Sequence, residues 1–597
     1  MNTRGEYNNR SVVKLNQQRL RGALASLLLL PVAAWAGGVV SSCTEASLRS
    51  AMAGGGTVTF ACDGTITLAS TLTMAASTVL DGSGHQVTIS GGGAVQVLNV
   101  PAGSSLTMIH LTISNGRTSD GTNGVWVYPG SATPGGPGAP GGGIYNADTL
   151  TLLDCVVTGN RTGNGGLGYA GSFNSHLNSP GGAAGSGGGI YNAGTLTLSN
   201  CFVSGNSTGS GGTSGDGDAS PSPPCGTGGS GAGIYNAGTL RLDNSTVNNN
   251  RAGSGASSPY RGPGADGGSG GGIWSSGSLI GNGCTFSGNS TGAGGAGGNT
   301  SSTAVGSGGS GGSGGAIWSS GNVTAVNCTF SGNSTAAGGA GGSAVGGYSG
   351  GGNGGSGGSG AAVWANGYLA LTNCTVVGNS GGLGGSAGSG SPGGIGVPPT
   401  PNGSSGLAGA GGGVAAGGTA FLVNTIVALN TGSSPDVSGV FLSLGHNLIG
   451  ATNGSSGFSA PGDQVGLNPQ IGPLANNGGP TPTMPLLPGS PAIDAADTAA
   501  APATDQRGAP RPVGPAADIG AYEYGWPAVL RISPSGANGP NILGSGNPGQ
   551  PCRLLLSTDL SSWVPIATNQ FGSDGTILFY DTCAPGGACR FYRLVMP

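Results

Sequence analysis

The sequence predicts an all-β protein, a parallel β-helix (solenoid) followed by a small C-terminal β-sandwich-like module. Glycine supplies 134 of the 597 residues, without the strict third-residue period of collagen. A segment of about 20 residues returns seven times, and apolar and polar residues alternate within it. The regular return of Ile, Leu and Val argues against a disordered chain. Together these observations indicate a repeat protein with a packed apolar interior.

Each repeat is anchored by the apolar residue of a "GGIYN"-like motif. The anchors are Ile144, Ile190, Ile234, Ile273, Ile317, Val363 and Val414, at spacings of 46, 44, 39, 44, 46 and 51 residues. Eleven residues after each anchor come Cys155, Cys201, Ser245, Cys284, Cys328, Cys374 and Thr425. Five residues further on come Asn160, Asn206, Asn250, Asn289, Asn333, Asn379 and Asn430. Periods of this length indicate a solenoid, a propeller or another repeat array.

Three short strands are predicted in each repeat. In the second unit Ile190, Leu196, Leu198, Cys201 and Val203 are separated by polar residues and Asn/Gly turns. Three strands with variable loops at one corner favour a β-helix over a propeller blade, which needs four antiparallel strands. Because rungs stack at about 4.8 Å, we predict that the seven Asn residues form a hydrogen-bonded ladder. The glycine-rich loops that follow have the composition of flexible coils.

The N-terminal part of the helix is predicted from the same alternation. Residues 57–113 show this alternation of apolar and polar residues without long loops. We therefore assign residues 57–444 to the β-helix. Residues 37–56 form a predicted cap in which Glu45–Met52 has helical spacing, because a solenoid must cover its open end. Cys43 and Cys62 bracket this cap, and in an exported protein we expect them to form a disulfide.

Residues 1–36 read as a secretory signal peptide. Arg19 and Arg21 precede an apolar run from Gly22 to Ala34, and Ala36 ends a small-residue cleavage site. The alternative is an uncleaved membrane anchor, although the run is shorter than the roughly 18 residues that a span needs. We therefore expect a secreted or cell-surface protein, with no transmembrane segment after cleavage.

The expected mature chain is acidic. It carries 12 basic and 20 acidic residues, a net charge of −8, and has no lysine. Such a surface does not attract nucleic acid or anionic lipid through its charge. Nucleic acid is therefore excluded as an expected partner.

The repeats and their N-terminal rungs resemble right-handed parallel β-helix proteins of bacterial surfaces, with the pectin-lyase-like fold and repeats of the polymorphic outer-membrane-protein type. Residues 445–524 resemble a choice-of-anchor Q domain through "GHNLIG", "NPQIGPLANNGGPTPT", "LLPGSPAIDAADT", "TDQRGAPRP" and "DIGAYE". Ala496 departs from the Gly that commonly follows "SPAIDA". The resemblance implies extracellular display rather than a reaction.

Six charged residues of this Q-like segment concentrate charge in an otherwise neutral protein. They are Asp494, Asp505, Arg507, Arg511, Asp518 and Glu523. We interpret them as a structural ion-pair network, and we expect the segment to seal the C-terminal end of the β-helix.

Residues 525–597 form the predicted C-terminal β module. Its strand-like stretches "CRLLLSTDLSSWVPIAT", "GTILFYDT" and "CRFYRLVMP" resemble small fibronectin-type-III-like modules of exported bacterial proteins. Cys552, Cys583 and Cys589 are three thiols, so we expect one disulfide and one unpaired cysteine.

An aromatic residue follows the anchor in six repeats: Tyr145, Tyr191, Tyr235, Trp274, Trp318 and Trp364, with Ala415 ending the row. Because each anchor points inward, the period of two places this row on the outside. One interpretation is a stacked column that stabilises the sheet. The other is a glycan-binding platform, because flat apolar rings with polar tips suit sugars.

Catalysis is disfavoured by the distribution of ionisable residues. Residues 267–435 contain no Asp, Glu, Lys, Arg or His, whereas glycoside hydrolysis usually needs two carboxylates and uronate lyases need a base. Asp154 and Asp243 are expected in turns. His110, next to the Leu column, is interpreted as a surface or core histidine rather than a base, and His176 is another histidine of the helix. Asp216 and Asp218 of "GDGDAS" offer only a weak Ca²⁺ site.

The cysteines of the repeat are interpreted as core residues. They lie one per rung in an apolar line, whereas the ligands of a metal cluster around one point. Cys225, which lies in a loop, is the unpaired thiol that we most expect to be exposed. We expect no metal site and no cofactor.

The sequence thus predicts a monomeric, non-catalytic exported protein with a role in adhesion, glycan contact or envelope structure. The alternative is a polysaccharide lyase or glycoside hydrolase on the same fold.

Overall fold

The chain forms a parallel β-helix followed by a small antiparallel β module, which confirms the predicted fold class. The computed structural model describes residues 37–128, 130–171, 178–215, 222–300, 305–345, 349–394, 397–525, 529–533, 541–546, 551–572, 576–580 and 590–595. The predicted signal peptide lies outside these residues.

Two columns of parallel strands form a 21-stranded sheet, here called sheet A, and they join where Val414–Val423 contributes to both. The first column contains Leu72–Thr73, Leu98–Val100, Ile144–Asn146, Ile190–Asn192, Ile234–Asn236, Ile273–Ser275, Ile317–Ser319 and Val363–Ala365. The second contains Val39–Val40, Gly56–Phe60, Thr78–Asp81, Ser105–Ile109, Thr149–Leu153, Thr195–Ser199, Thr239–Asp243, Ser278–Asn282, Asn322–Val326 and Leu369–Thr372. Val437–Ser443 and Ser455–Ser456 complete sheet A.

The third side of the helix is a 12-stranded parallel sheet, here called sheet B. Its strands are Gly64–Thr67, Val87–Ser90, Leu111–Ser114, Val156–Thr158, Phe202–Ser204, Thr246–Asn248, Thr285–Ser287, Thr329–Ser331, Thr375–Val377, Ile426–Ala428, Leu448–Ile449 and Gln464–Val465. The last two strands lie beyond residue 444, so the coils of the helix extend further along the chain than the sequence analysis assigned.

The interior consists of columns of identical or similar apolar residues. Ile190 pairs in register with Ile144 and Ile234, and Leu196 pairs with Leu150 and Leu240. These side chains are fully buried. The alternation of the sequence therefore produces one continuous core, because each inward residue stacks on its counterpart in the next rung.

The turn before each Cys position requires a left-handed backbone. Asp154, Asn200, Asn244, Asn327, Asn373 and Asn424 all have φ between 47° and 53° there. Asn and Asp tolerate this conformation better than other side chains. Asp154 is thus a turn residue, as predicted, whereas the same prediction for Asp243 is wrong, because Asp243 is the last residue of the strand Thr239–Asp243 and the turn begins at Asn244.

The N-terminal end is covered by a short α-helix, Glu45–Met52, whose Leu48 and Ala51 are buried. Thr44 caps the helix by accepting a hydrogen bond from the Ser47 amide at 3.3 Å. A disulfide joins Cys43 to Cys62 beside it. The cap therefore closes the core where the first strands would otherwise expose it.

The glycine-rich loops form a second ordered structure, here called the glycine layer. In each loop an outgoing and a returning segment pair with each other and with the neighbouring loops. Gly165 and Gly168 donate to Ser210 and Thr213 of the next loop, and Gly182 donates to the Gly166 carbonyl at 2.8 Å. These contacts recur every three residues, the period of polyproline II. The layer comprises the described parts of 117–140, 161–187, 207–231, 251–270, 290–314, 334–360 and 380–411.

Close approach of the backbones explains why glycine dominates this layer. A Cβ added at Gly182 would lie 1.9 Å from the Gly136 carbonyl oxygen, and one added at Gly212 would lie 2.0 Å from that of Gly166. Real Cβ atoms essentially never approach so closely. The composition that suggested flexible coils instead permits a packed layer of extended segments.

The predicted position of the Q-like segment needs correction. Residues 471–524, here called the strap, do not lie over the C-terminal end but run along the outer face of sheet B. Thr481 donates to the Gly283 carbonyl at 2.8 Å, and Ala521 N–H donates to Thr375 Oγ1 at 2.9 Å. The reason is that this outer face offers threonines and apolar side chains that the strap covers, among them Ile426 and Ala428.

The C-terminal module contains two three-stranded antiparallel sheets. One contains Val529–Ser533, Asn541–Ser545 and Thr576–Tyr580, and the other contains Pro551–Ser557, Val564–Gln570 and Phe591–Val595. Cys552 is a buried free thiol in its core, whereas Cys583 and Cys589 lie outside the described residues. Across the described parts of the chain, no helix has the length and apolar character needed to cross a membrane.

Candidate functional site

The six aromatic residues of the repeat form one continuous column, here called the aromatic stack. Consecutive ring centroids lie 5.1, 4.8, 4.2, 4.9 and 5.2 Å apart, and adjacent ring planes differ by 3° to 8°. The members in order are Tyr145, Tyr191, Tyr235, Trp274, Trp318 and Trp364. Each is partly exposed. Parallel register places them one per rung on the outside of sheet A.

Stacking changes what this column offers to a ligand. The faces of the four inner rings are covered by their neighbours, so only ring edges point outward along most of the column. Burial, and next the neighbouring Tyr191, raise the pKa of Tyr235 to about 12. The flat faces on which a sugar would stack are therefore restricted to the two ends, at Tyr145 and Trp364.

The predicted asparagine column forms a hydrogen-bonded ladder inside the helix. Asn160 Nδ2 donates to Asn206 Oδ1 at 2.9 Å, and the same contact repeats at 2.8–2.9 Å up to Asn430. Asn430 Nδ2 then donates to Asp436 Oδ1 at 2.9 Å. Burial raises the pKa of Asp436. The ladder thus joins seven rungs and ends on a carboxylate.

A second ladder was missed by sequence reasoning. Asn146 Nδ2 donates to Asn192 Oδ1 at 2.6 Å, Asn192 to Asn236 at 2.7 Å, and Asn236 to Ser275 Oγ at 3.0 Å. All four side chains are buried. The signal was present in the sequence, because Asn follows the aromatic residue in the first three "GGIYN"-like motifs.

The cysteine column lies in the core. Cys155, Cys201, Cys284, Cys328 and Cys374 are buried free thiols. Burial raises the pKa of Cys155 to about 11 and that of Cys201 to about 12. Within the described residues, no three His, Cys, Asp or Glu side chains come close enough to hold a metal ion.

The prediction that Cys225 is exposed is wrong, since its exposed fraction is only 9%. It packs with Ala256 and Ala265 inside the glycine layer, and its Sγ lies 3.4 Å from Ser214 Oγ. The neighbouring loop covers it because adjacent loops pair.

The charges of the strap converge in a buried cluster. Arg511 Nη1 lies 3.1 Å from Glu523 Oε2, with both side chains fully buried. The Arg511 Nη1 and Nη2 groups also donate to the Asp518 and Gly520 carbonyls at 2.6 and 2.7 Å. Arg507 pairs with Asp505 at 2.8 Å. The cluster brings carboxylates and guanidinium groups together, but a substrate cannot reach them because they are buried.

The strap also joins two adjacent rungs through one glutamine. Gln506 Nε2 donates to Thr285 Oγ1 at 2.9 Å, and Gln506 Oε1 accepts from Thr329 Oγ1 at 2.6 Å. All three side chains are buried. This residue connects two adjacent rungs to the strap.

The stability of the strap is expected to depend on pH through Asp518. Burial and the neighbouring Glu523 carboxylate raise the pKa of Asp518 from its ordinary 3.8 to about 7. An acid whose pKa is raised on folding stabilises the protein when protonated, so the free energy of unfolding should fall as pH rises from about 4 to 7. A shift of about three units corresponds to at most about 4 kcal/mol.

Urea denaturation between pH 4 and 8 checks this expectation. Asp518→Asn should flatten the decline with pH, and the slopes rather than the absolute stabilities are compared. An unchanged slope in the variant would contradict the assignment to Asp518.

A separate cavity of about 370 Å³ lies on sheet B at the N-terminal rungs, lined among others by His85, His110 and Asp154. His110 Nδ1 lies 3.7 Å from Asp154 Oδ2, and His85 Nδ1 lies 3.4 Å from Asp63 Oδ1. His176, Asp216 and Asp218 lie outside the described residues. This cavity therefore brings histidine and carboxylate side chains together on an accessible surface.

The fold and these columns define a parallel β-helix solenoid protein. No protein-family model matches the chain, and no curated protein matches its sequence.

Proposed function

We propose that the protein is a non-catalytic exported scaffold that contacts extracellular glycans at the cell envelope. The aromatic stack is the observation that supports this proposal. It is a partly exposed column of six rings on an external face, and its last three rings, Trp274, Trp318 and Trp364, lie within residues 267–435, which contain no Asp, Glu, Lys, Arg or His. Aromatic side chains with an apolar body and polar tip suit sugar contact.

The proposal also includes the family to which the β-helix and the Q-like segment are assigned. We assign the helix to the pectin-lyase-like type with polymorphic outer-membrane-protein-like repeats, and residues 445–524 to a choice-of-anchor Q segment. The motifs "TDQRGAPRP" and "DIGAYE" support this assignment, because their Asp505, Arg507, Arg511 and Glu523 meet in one buried cluster.

A glycan array with the mature protein, residues 37–597, tests the function. The same wells are examined for polysaccharide cleavage with and without Ca²⁺. We expect binding without cleavage. Absence of binding to every glycan would contradict the proposal.

A carbohydrate-active enzyme is the second candidate, and the cavity with His85, His110 and Asp154 favours it. A His beside a carboxylate has the composition of a general acid or base. Cleavage that is lost in His110→Asn would establish this function and overturn the first. The matched control is His446→Asn, because His446 lies beside the strap and bonds the Ala495 carbonyl instead.

A further inference from the structure

The aromatic stack begins at Tyr145, and the side chains that precede it in the same column are smaller. Tyr145 is in register with Tyr191 on one side and with Asn99 on the other. Asn99 is in turn in register with Thr73. One face of the Tyr145 ring is covered by Tyr191, with centroids 5.1 Å apart. The opposite face therefore looks over smaller side chains.

A cavity of about 510 Å³ lies at this end of the stack. Its lining includes Tyr145, Asn99, Gln96, Thr71, Arg117 and Pro140. The volume falls in the range of small-molecule sites, roughly 300–1,000 Å³. It is large enough for a sugar residue in contact with the ring of Tyr145.

Hydrogen bonds and an ion pair hold two polar side chains of this cavity in place, and these side chains remain partly accessible. Gln96 Nε2 donates to the Gly141 carbonyl at 2.6 Å and to the Pro140 carbonyl at 3.3 Å. These contacts fix the amide and leave its Oε1 as an acceptor. Arg117 is 43% exposed, and one guanidinium nitrogen lies 3.3 Å from Asp120. The fork geometry of arginine suits a further carboxylate.

We propose that this cavity binds one sugar residue that carries a carboxylate. The apolar face of the pyranose ring stacks on the free face of Tyr145, and the carboxylate pairs with Arg117. Asn99 and Gln96 face the hydroxyl groups. This proposal rests on the proposed glycan contact and names both its place and the class of its ligand.

Isothermal titration at low salt and pH 7 tests the site, with methyl β-D-glucuronide and methyl β-D-glucoside as probes. We expect the glucuronide to bind more tightly. Its dissociation constant should rise at least tenfold in Tyr145→Ala and in Arg117→Gln. Arg117 is exposed, so that variant keeps the fold if Tyr145→Ala does not. The matched control is Phe202→Ala, which removes an exposed aromatic ring on sheet B, away from the aromatic stack, and should leave binding unchanged.

The outcomes separate this site from the general function. Loss of glucuronide binding in the Phe202 variant, equal affinity for both sugars, or binding that neither site variant weakens would overturn the site. If the array binds glycans but the glucuronide does not bind, the site fails and the proposed glycan contact stands. If the array shows no glycan binding and the titration shows no glucuronide binding, both the site and the proposed glycan contact are overturned.

Discussion

Replacing Asn289 by alanine is expected to destabilise the β-helix by about 4 kcal/mol, since buried polar groups left without partners cost roughly 1–3 kcal/mol each. Asn289 Oδ1 accepts from the Asn250 amide at 3.1 Å and from Asn250 Nδ2 at 2.9 Å. Its own Nδ2 donates to the Val247 carbonyl and to Asn333 Oδ1. Alanine removes all four contacts within the core.

Chemical denaturation monitored by circular dichroism measures this loss. The matched control is Asn322→Ala, because Asn322 is exposed on a strand of sheet A and its removal should change stability by less than about 0.5 kcal/mol. Equal stability of the two variants would show that the ladder contributes little to folding.

Replacing Arg511 by leucine is expected to detach the strap. Removal of one partner from a buried ion pair typically costs about 3–5 kcal/mol. Here it would leave the Glu523 carboxylate buried without its cationic partner and would remove the guanidinium that donates to two buried carbonyl groups. Because the strap packs on the outside of sheet B, the rungs themselves should remain folded.

Hydrogen exchange resolved by peptide distinguishes these effects. We expect faster exchange in residues 471–524 and on the strands beneath, with protection retained in residues 144–260. Arg241→Leu is the control, because the Arg241–Asp243 pair is exposed and contributes at most about 1 kcal/mol. Unchanged protection of the strap in Arg511→Leu would contradict its anchoring by this arginine.

The repeat could be predicted from sequence because its information is local. The columns of Ile190, Leu196 and Cys201 follow from an alternation within 20 residues, and parallel stacking then places each copy on the next. The Asn160 ladder follows by the same argument. The second ladder at Asn146 is equally local, but its column changes from Asn to Ser275, Ser319 and Ala365 in the later repeats, so residue identity does not mark it along the whole helix.

The remaining features depend on contacts that leave no local pattern. The strap reaches residues nearly 200 positions earlier, as in the Thr481–Gly283 hydrogen bond. The coverage of the ring faces arises only when several rungs are stacked, although the rung spacing of about 4.8 Å already leaves no room for a sugar between rings. The burial of Cys225 depends on pairing between loops that composition alone does not reveal.

The glycine layer allows the length of each loop to change without altering the packing of the apolar core. Its contacts recur every three residues, so a loop with three more residues in its outgoing segment and three more in its returning segment keeps the inner pattern and extends by about 9 Å. The rung that carries the loop needs no compensating change. Repeats of unequal length can therefore coexist on one helix, and the outline of the surface that meets the surroundings can be altered loop by loop.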